Sequence, residues 1–246
     1  QASACSRQNR KRMTRIAILD LTTHPADRLH GVQRVWERIS GWLSPSLPDA
    51  ALIPFDIAEG GGTLPATGDF DGLIVSGSEC GVYDQTEWML PLRRLLLETR
   101  DAGKPQFGIC FGHQIMADCF GGRAEKAAIG RIVGAREFTA AGQRFSAHVW
   151  HQDQVTAVPP CAQVTAYADY CPVGALDYEF AARSVQYHPE YDAAHLQDLF
   201  ARGRDYFIDG PSADAADAEI AKATVSVDLD AGDVAAFFRQ AIRHQS

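Results

Sequence analysis

"FGICFGHQIMADCFGG", residues 107–122, decides how this chain is to be read. Upstream, Lys104-Pro105-Gln106-Phe107-Gly108-Ile109 has the character of a short buried strand. Downstream, Phe111, Ile115, Met116, Cys119 and Phe120 recur at i, i+4, i+5, i+8 and i+9, the apolar stripe of a helix. Gly121-Gly122 then stops it. Between the two lies Gly108-Ile109-Cys110-Phe111-Gly112, a G-x-C-x-G pattern. A nucleophile carried on a sharp strand-to-helix turn needs small neighbours, because side chains there would collide; G-x-S-x-G is the serine version of that turn. A buried structural cysteine between turn glycines fits the same stretch, and within it both readings stand.

Outward from this stretch, short apolar runs alternate with helical periodicity. Strands are expected at 15–20, 51–56, 72–76 and 106–109, with helices at 26–43, 84–101 and 111–120. Asp84 and Glu87 could form a capping box for the second helix. Buried strands alternating with helices predict a parallel sheet covered on both faces. Beyond residue 130 the runs at 130–138, 145–150, 163–169, 173–178 and 182–187 are closely spaced and suggest antiparallel hairpins. Helical periodicity returns at 192–208 and at 231–244, where Val234, Phe237, Phe238, Ala241 and Ile242 form a stripe. The polar segment at 209–219 is expected to be a mobile connection.

Composition narrows the function classes. The chain has 246 residues, 46% hydrophobic and 22% charged, enough for one large domain with a full core. Lys+Arg 23 against Asp+Glu 31 gives a net charge of -8, which argues against nucleic acid as the main partner. No apolar run approaches the roughly 18 residues of a membrane helix, so no membrane partner is expected. Six cysteines (Cys5, Cys80, Cys110, Cys119, Cys161, Cys171) include no C-x-x-C pair, which suits reduced thiols and a cytoplasmic location. Residues 1–12, "QASACSRQNRKR", lack the apolar centre of a secretory signal and are expected to be a disordered or appended extension. Residues 13–246 are expected to form a single domain.

A cysteine nucleophile needs a base, and the base an orienting group. Among eight histidines, His188 is singled out by "SVQYHPEY", 184–191. It follows an apolar strand, Pro189 stiffens the turn, and Glu190 lies two residues on, where a carboxylate can fix the imidazole tautomer. In isolation, that stretch fits a histidine in an ordinary strand-to-helix loop better.

"GICFGHQ" and "YHPE" together, with "LIVSGSECGVYD" at 73–84 and "VWHQDQV" at 149–155, resemble the class I (triad) glutamine amidotransferase family. The resemblance spans residues 15 to 210 in the expected order and is nearest to stand-alone relatives of the GMP synthetase amidotransferase domain. It implies a flavodoxin-like α/β fold: a mostly parallel twisted sheet flanked by helices, with a small antiparallel addition. It implies Cys110 as nucleophile, His188 as general base and acid, and Glu190 as its orienting carboxylate. The N–H groups of Gly77 and Phe111 would form the oxyanion hole. Gln114 would touch the substrate's amino-acid end, with the backbone near Gln152 and Asp153 closing the pocket; His113 would be structural. The start of the helix independently places positive dipole charge beside Cys110.

The chain departs from the family pattern at two places. Ser76-Gly77-Ser78 stands where Gly-Gly-Pro is usual, and Trp150-His151-Gln152-Asp153 where S-H-G-D is usual. The glycine of the oxyanion loop is kept; the glutamine at 152 would reshape the pocket. No ATP-pyrophosphatase domain or P-loop pattern accompanies the motifs, so an ammonia acceptor would sit on another chain, or there is none. The expected chemistry is hydrolysis of the glutamine side-chain amide or, alternatively, of a γ-glutamyl peptide, with a synthetase or a second copy as possible partner. A catalytically idle interaction protein is disfavoured by the intact Cys110, His188 and Glu190. No cofactor is required, and His151-x-Asp153 and His188-x-Glu190 lack the further ligands of a metal site.

Overall fold

The computed structural model describes residues 12–59, 61–225 and 227–244. The extension expected at 1–12 therefore lies, apart from Arg12, outside the described residues. In chain order the first half comprises β1 (Thr14–Asp20), α1 (Ala26–Leu29), α2 (Val35–Leu43), β2 (Ala50–Asp56), β3 (Gly72–Val75), α3 (Met89–Asp101), β4 (Gln106–Ile109) and α4 (Phe111–Cys119). The second comprises β5 (Arg123–Lys126), β6 (Ile132–Ala140), β7 (Gln143–His151), β8 (Asp153–Ala157), β9 (Ala162–Ala168), β10 (Cys171–Tyr178), β11 (Ala182–Val185), α5 (Ala193–Gly203), α6 (Gly210–Ile220) and α7 (Val227–Arg243).

Strand β1 alternates Ile16 and Ile18 with Ala17 and Leu19, and all four are fully buried. Both faces are covered, as an interior parallel strand requires. Ile16 and Ile18 pack with Ile39 and Leu43 of α2 and Phe238 of α7, whereas Ala17 and Leu19 pack with Leu92 and Leu96 of α3 and Ile115 of α4. The parallel strands run in the order β2-β1-β3-β4-β11. That is the 2-1-3-4-5 order of flavodoxin-like sheets, whose ligands sit beyond the strands' carboxyl ends where the order reverses. Pro54 is accommodated because β2 is the sheet edge.

The antiparallel strands β10, β9, β6 and β7 continue the same sheet beyond β11, and β5 pairs separately with β8. The β6–β7 hairpin matters for function. It joins β9 through only Thr139 and Ala140, at one end. Its other end reaches back to the end of β11, where the His148 carbonyl accepts the His188 N–H at 2.8 Å. Among the described residues no helix is long and apolar enough to cross a membrane.

Three expectations change. The helix expected at 26–43 breaks into α1 and α2 around Gly31, whose φ of 80° a helix cannot hold. The helix expected from residue 84 starts at Met89; Asp84 instead accepts the Gly81 N–H at 2.8 Å within a turn. The segment 209–219 is largely helix α6 rather than a mobile connection. Asp209 caps it through the Ser212 N–H at 2.9 Å, Pro211 suits its first turn, and Ala213, Ala216 and Ile220 bury against Leu196 and Phe200. The C-terminal stripe expected at 231–244 is buried within its own domain: Val234, Ala235 and Phe238 join the core beside Trp42 and Leu43.

Phe238 is fully buried and lies against Gly72, where an added Cβ would meet its Cε1 at 2.8 Å. Phe238→Ala should lower stability by about 3–5 kcal/mol and the melting temperature by roughly 6–20 °C, read by circular dichroism. An unchanged melting temperature would mean α7 does not hold the sheet.

Candidate active site

The site is assembled by the pairing of β4 with β11. In their parallel register Ile109 lies beside Val185, so the residues just past each carboxyl end emerge side by side. Cys110 follows at once and donates its N–H to the Val185 carbonyl at 2.8 Å. The chain then turns abruptly: Cys110 has φ 54° and ψ -100°, and α4 begins at Phe111. A positive φ at a residue with a side chain is strained by about 1–3 kcal/mol. The flanking glycines are demanded by close approach. A Cβ at Gly112 would lie 2.2 Å from the Val75 oxygen, and one at Gly108 would lie 2.6 Å from the Gly112 carbonyl. The Gly112 N–H bonds the Ser76 carbonyl at 3.0 Å, tying the turn to the loop after β3.

His188 and Glu190 come from the loop after β11. Both are buried, at 3% and 0% exposure. His188 Nδ1 meets Glu190 Oε1 at 2.8 Å, and the imidazole stacks on Tyr191 with ring centroids 4.2 Å apart. Burial works against the imidazolium, but the charges of Glu190 and Cys110 outweigh it and hold His188 above its ordinary range. Gly77 is wedged between the His188 and Cys110 side chains: a Cβ there would lie 3.2 Å from His188 Cε1 and 3.8 Å from Cys110 Cβ. Among the described residues the N–H groups of Gly77 and Phe111 carry no hydrogen bond. Ser76 fixes this loop, accepting the Leu21 N–H at 2.9 Å and donating to the Gly77 carbonyl at 2.8 Å.

Cys110, His188 and Gly77 line one cleft of about 250 Å³ beyond the carboxyl ends of the parallel strands, together with Glu79, Trp150, Gln152 and Tyr191. A thiol, an imidazole and a carboxylate in sequence, with free backbone donors beside the thiol, can perform acyl transfer. Among the described residues no group of three or more His, Cys, Asp or Glu side chains could hold a metal ion.

The family model described as "Glutamine amidotransferase class-I" matches residues 54–201, which include the elbow, the hairpin and the His188 loop. The chain belongs to that family. Among curated relatives, it is 31% identical over 147 residues to gamma-glutamyl peptidase 5 of Arabidopsis thaliana, covering 54% of this chain and 59% of that protein. It is 34% identical over 159 residues to the glutamine-hydrolyzing GMP synthase of an Azoarcus species, covering 56% of this chain and 28% of that protein. The chain thus spans well under two thirds of either. A glutamine amidotransferase structure from Methylobacillus flagellatus superposes with a TM-score of 0.69 at 16% identity, covering 94% of this chain and 96% of that one. One from Thermotoga maritima gives a TM-score of 0.68 at 15% identity, covering 96% and 99%. Both likenesses concern the fold.

Of the residues expected of a class-I amidotransferase, Cys110, His188, Glu190, Gly77 and Phe111 converge. Gln152 lines the cleft, but Gln114 and Asp153 stand behind its wall. The Gln114 side-chain NH2 donates to the Asp153 carbonyl at 2.9 Å and to Gln186 Oε1 at 3.2 Å, which ties it to the wall. The Asp153 carboxylate accepts from the Tyr83 hydroxyl at 3.3 Å. His113 is structural, bonded to Ser184 Oγ at 2.8 Å and the Val173 carbonyl at 3.1 Å. Sequence reasoning missed Gln186, which donates to Cys110 Sγ at 3.7 Å, and Tyr191 beneath His188. Gln186 precedes His188 by two residues, and that extended-chain period was the signal available; nothing in the sequence marked Tyr191.

Burial holds His113 down to about 3 and His151 down to about 4. The unfolded chain takes up those protons near pH 6.5 while the folded protein resists them, so stability falls as pH drops below about 6.5. His188 has the opposite sign: its contribution is complete below that pH and is lost as pH rises through its raised value. Each resisting histidine costs about 1.4 kcal/mol per pH unit. Thermal melts should therefore drop by several degrees from pH 7 to pH 5; a flat profile would mean these imidazoles are not held neutral.

Proposed function

We propose that this chain hydrolyses the side-chain amide of glutamine, or the equivalent amide of a γ-glutamyl compound, through a thioester at Cys110. One observation carries the reading: the strained Cys110 and the Glu190-bonded His188 share a cleft with Gly77 wedged between them. Because His188 Nδ1 is held by Glu190, Nε2 is the nitrogen that can serve the thiol. Cys110 Sγ attacks the γ-carbonyl carbon as its proton passes to His188. The N–H groups of Gly77 and Phe111 donate to the oxygen that gains charge. The C–N bond breaks as His188 returns the proton to the leaving nitrogen, releasing ammonia or an amine. Water, deprotonated by His188, then attacks the thioester and frees the glutamyl carboxylate and the thiol.

The peptide reading draws support from the similarity to gamma-glutamyl peptidase 5 and from Gln152, which gives the cleft wall a polar side chain where the family usually has glycine. The amidotransferase reading draws support from the similarity to glutamine-hydrolyzing GMP synthase; a synthetase partner would then use the ammonia. A panel of glutamine and γ-glutamyl peptides, with ammonia and amino-acid release measured separately, separates the two.

On whichever substrate is turned over, Cys110→Ala should abolish activity. Glu190→Gln should retain more activity than His188→Ala, because losing the orienting member of a triad generally costs less than losing the base. Equal losses, or a silent Glu190→Gln with the fold intact by circular dichroism, would remove the triad assignment.

A further inference from the structure

The cleft does not end at Gln152. A second cavity of about 440 Å³ lies between β6 and α6, and Arg131 and Gln152 line both spaces. The two cavities thus meet at these residues, on the wall that the β6–β7 hairpin brings over Cys110.

The charged groups around this junction are not equivalent. Arg136 is paired with Glu219 and also donates to the Ala135 carbonyl at 2.7 Å. Asp209 caps α6, accepting the Ser212 N–H at 2.9 Å and its hydroxyl at 2.7 Å. Arg131 differs. Its guanidinium donates to the Phe207 carbonyl, and among the described residues no carboxylate lies within 4.0 Å of it. Its charge bears on Asp209, but that carboxylate is committed to its helix cap. A guanidinium carries five donors in a planar fork that matches a carboxylate, and most of these remain unused in Arg131. An unpaired cation at the junction of a reaction cleft and a larger side chamber is placed to select an anionic substrate.

We infer that Arg131 is the specificity-determining residue of this enzyme, anchoring a carboxylate of the substrate where the two cavities meet. The inference rests on the reading of Cys110 as a nucleophile at a γ-glutamyl carbon and deepens it from amide to carboxylate-bearing amide. A γ-glutamyl dipeptide offers two such groups. One is the α-carboxylate of the glutamyl unit; the other is the C-terminal carboxylate of the leaving peptide, for which the second cavity provides room. Both present the same chemistry to Arg131.

Arg131 is exposed, so Arg131→Gln should fold, and Arg131→Lys tests rescue by charge. KM and kcat should be measured on the full chain for a γ-glutamyl dipeptide, its C-terminal amide and a γ-glutamyl anilide. The expected result is a rise in KM for the dipeptide of about tenfold or more with Arg131→Gln, little change in kcat, and partial recovery with Arg131→Lys. A rise for all three compounds identifies the α-carboxylate as the anchor. A rise confined to the dipeptide, matched by a poor KM of the unaltered chain for the C-terminal amide, identifies the leaving peptide's carboxylate. Unchanged KM values in an active enzyme, or a loss confined to kcat, would overturn the inference alone. An unaltered chain that turns over none of the three and no glutamine would overturn the underlying reading, and this one with it.

Discussion

The hydrogen bond from the Cys110 N–H to the Val185 carbonyl, 2.8 Å long, is the constraint on which the site depends. It extends the β4–β11 ladder by one step past the last paired residues, Ile109 and Val185. On one side of that step the chain turns into α4; on the other it runs through Gln186 to His188. A slip of this register by one residue would send the buried alternation of β11 to the opposite face. It would also carry His188 away from the thiol. The long separation in sequence between Cys110 and His188 is thus removed by one pair of parallel strands, whose own positions are set by the sheet core on both faces.

That step is held by close packing more than by any single strong contact. Gly108, Gly112 and Val75 approach so closely that no side chain fits between them. Cys110 consequently sits at a positive φ and faces the cleft. The strain is small beside the burial of Phe111, Ile115 and Met116, which fixes α4 against α3 and the sheet. The other half of the cleft is supplied from a distance. The β6–β7 hairpin, paired with β9 only at Thr139 and Ala140, places the Trp150 carbonyl 3.6 Å from Cys110 Sγ and is fastened by the His148–His188 backbone bond. Parallel sheet and antiparallel hairpin therefore each furnish one wall.

The sequence conveyed the parallel half well, because its signals are local: uninterrupted apolar strands, a helical stripe after Cys110, glycines at the turn. His188 and Glu190 were legible for the same reason, standing next to a strand end with a proline between them. Other features depend on contacts that no short window contains. The polar composition of 209–219 masked α6, although Asp209 and Pro211 form an ordinary helix start and the alanines bury only because α5 lies opposite. The bond by which β8 holds the Gln114 side-chain NH2, through the Asp153 carbonyl, likewise has no local signal. Arg131 gains meaning only once α6 stands across from β6. Family resemblance pointed to Cys110, His188 and Glu190; the second chamber had to be seen.

The central claim is that Cys110, among the cysteines of this chain, is the one poised to attack a γ-glutamyl carbon. The five described cysteines are all free thiols, so each could react in principle. The most direct measurement is mass spectrometry of the unaltered chain after brief exposure to a chloroketone analogue of glutamine. The account predicts a single adduct on Cys110, suppressed by added substrate. An adduct on Cys80 or Cys161, with Cys110 unmodified, would contradict it.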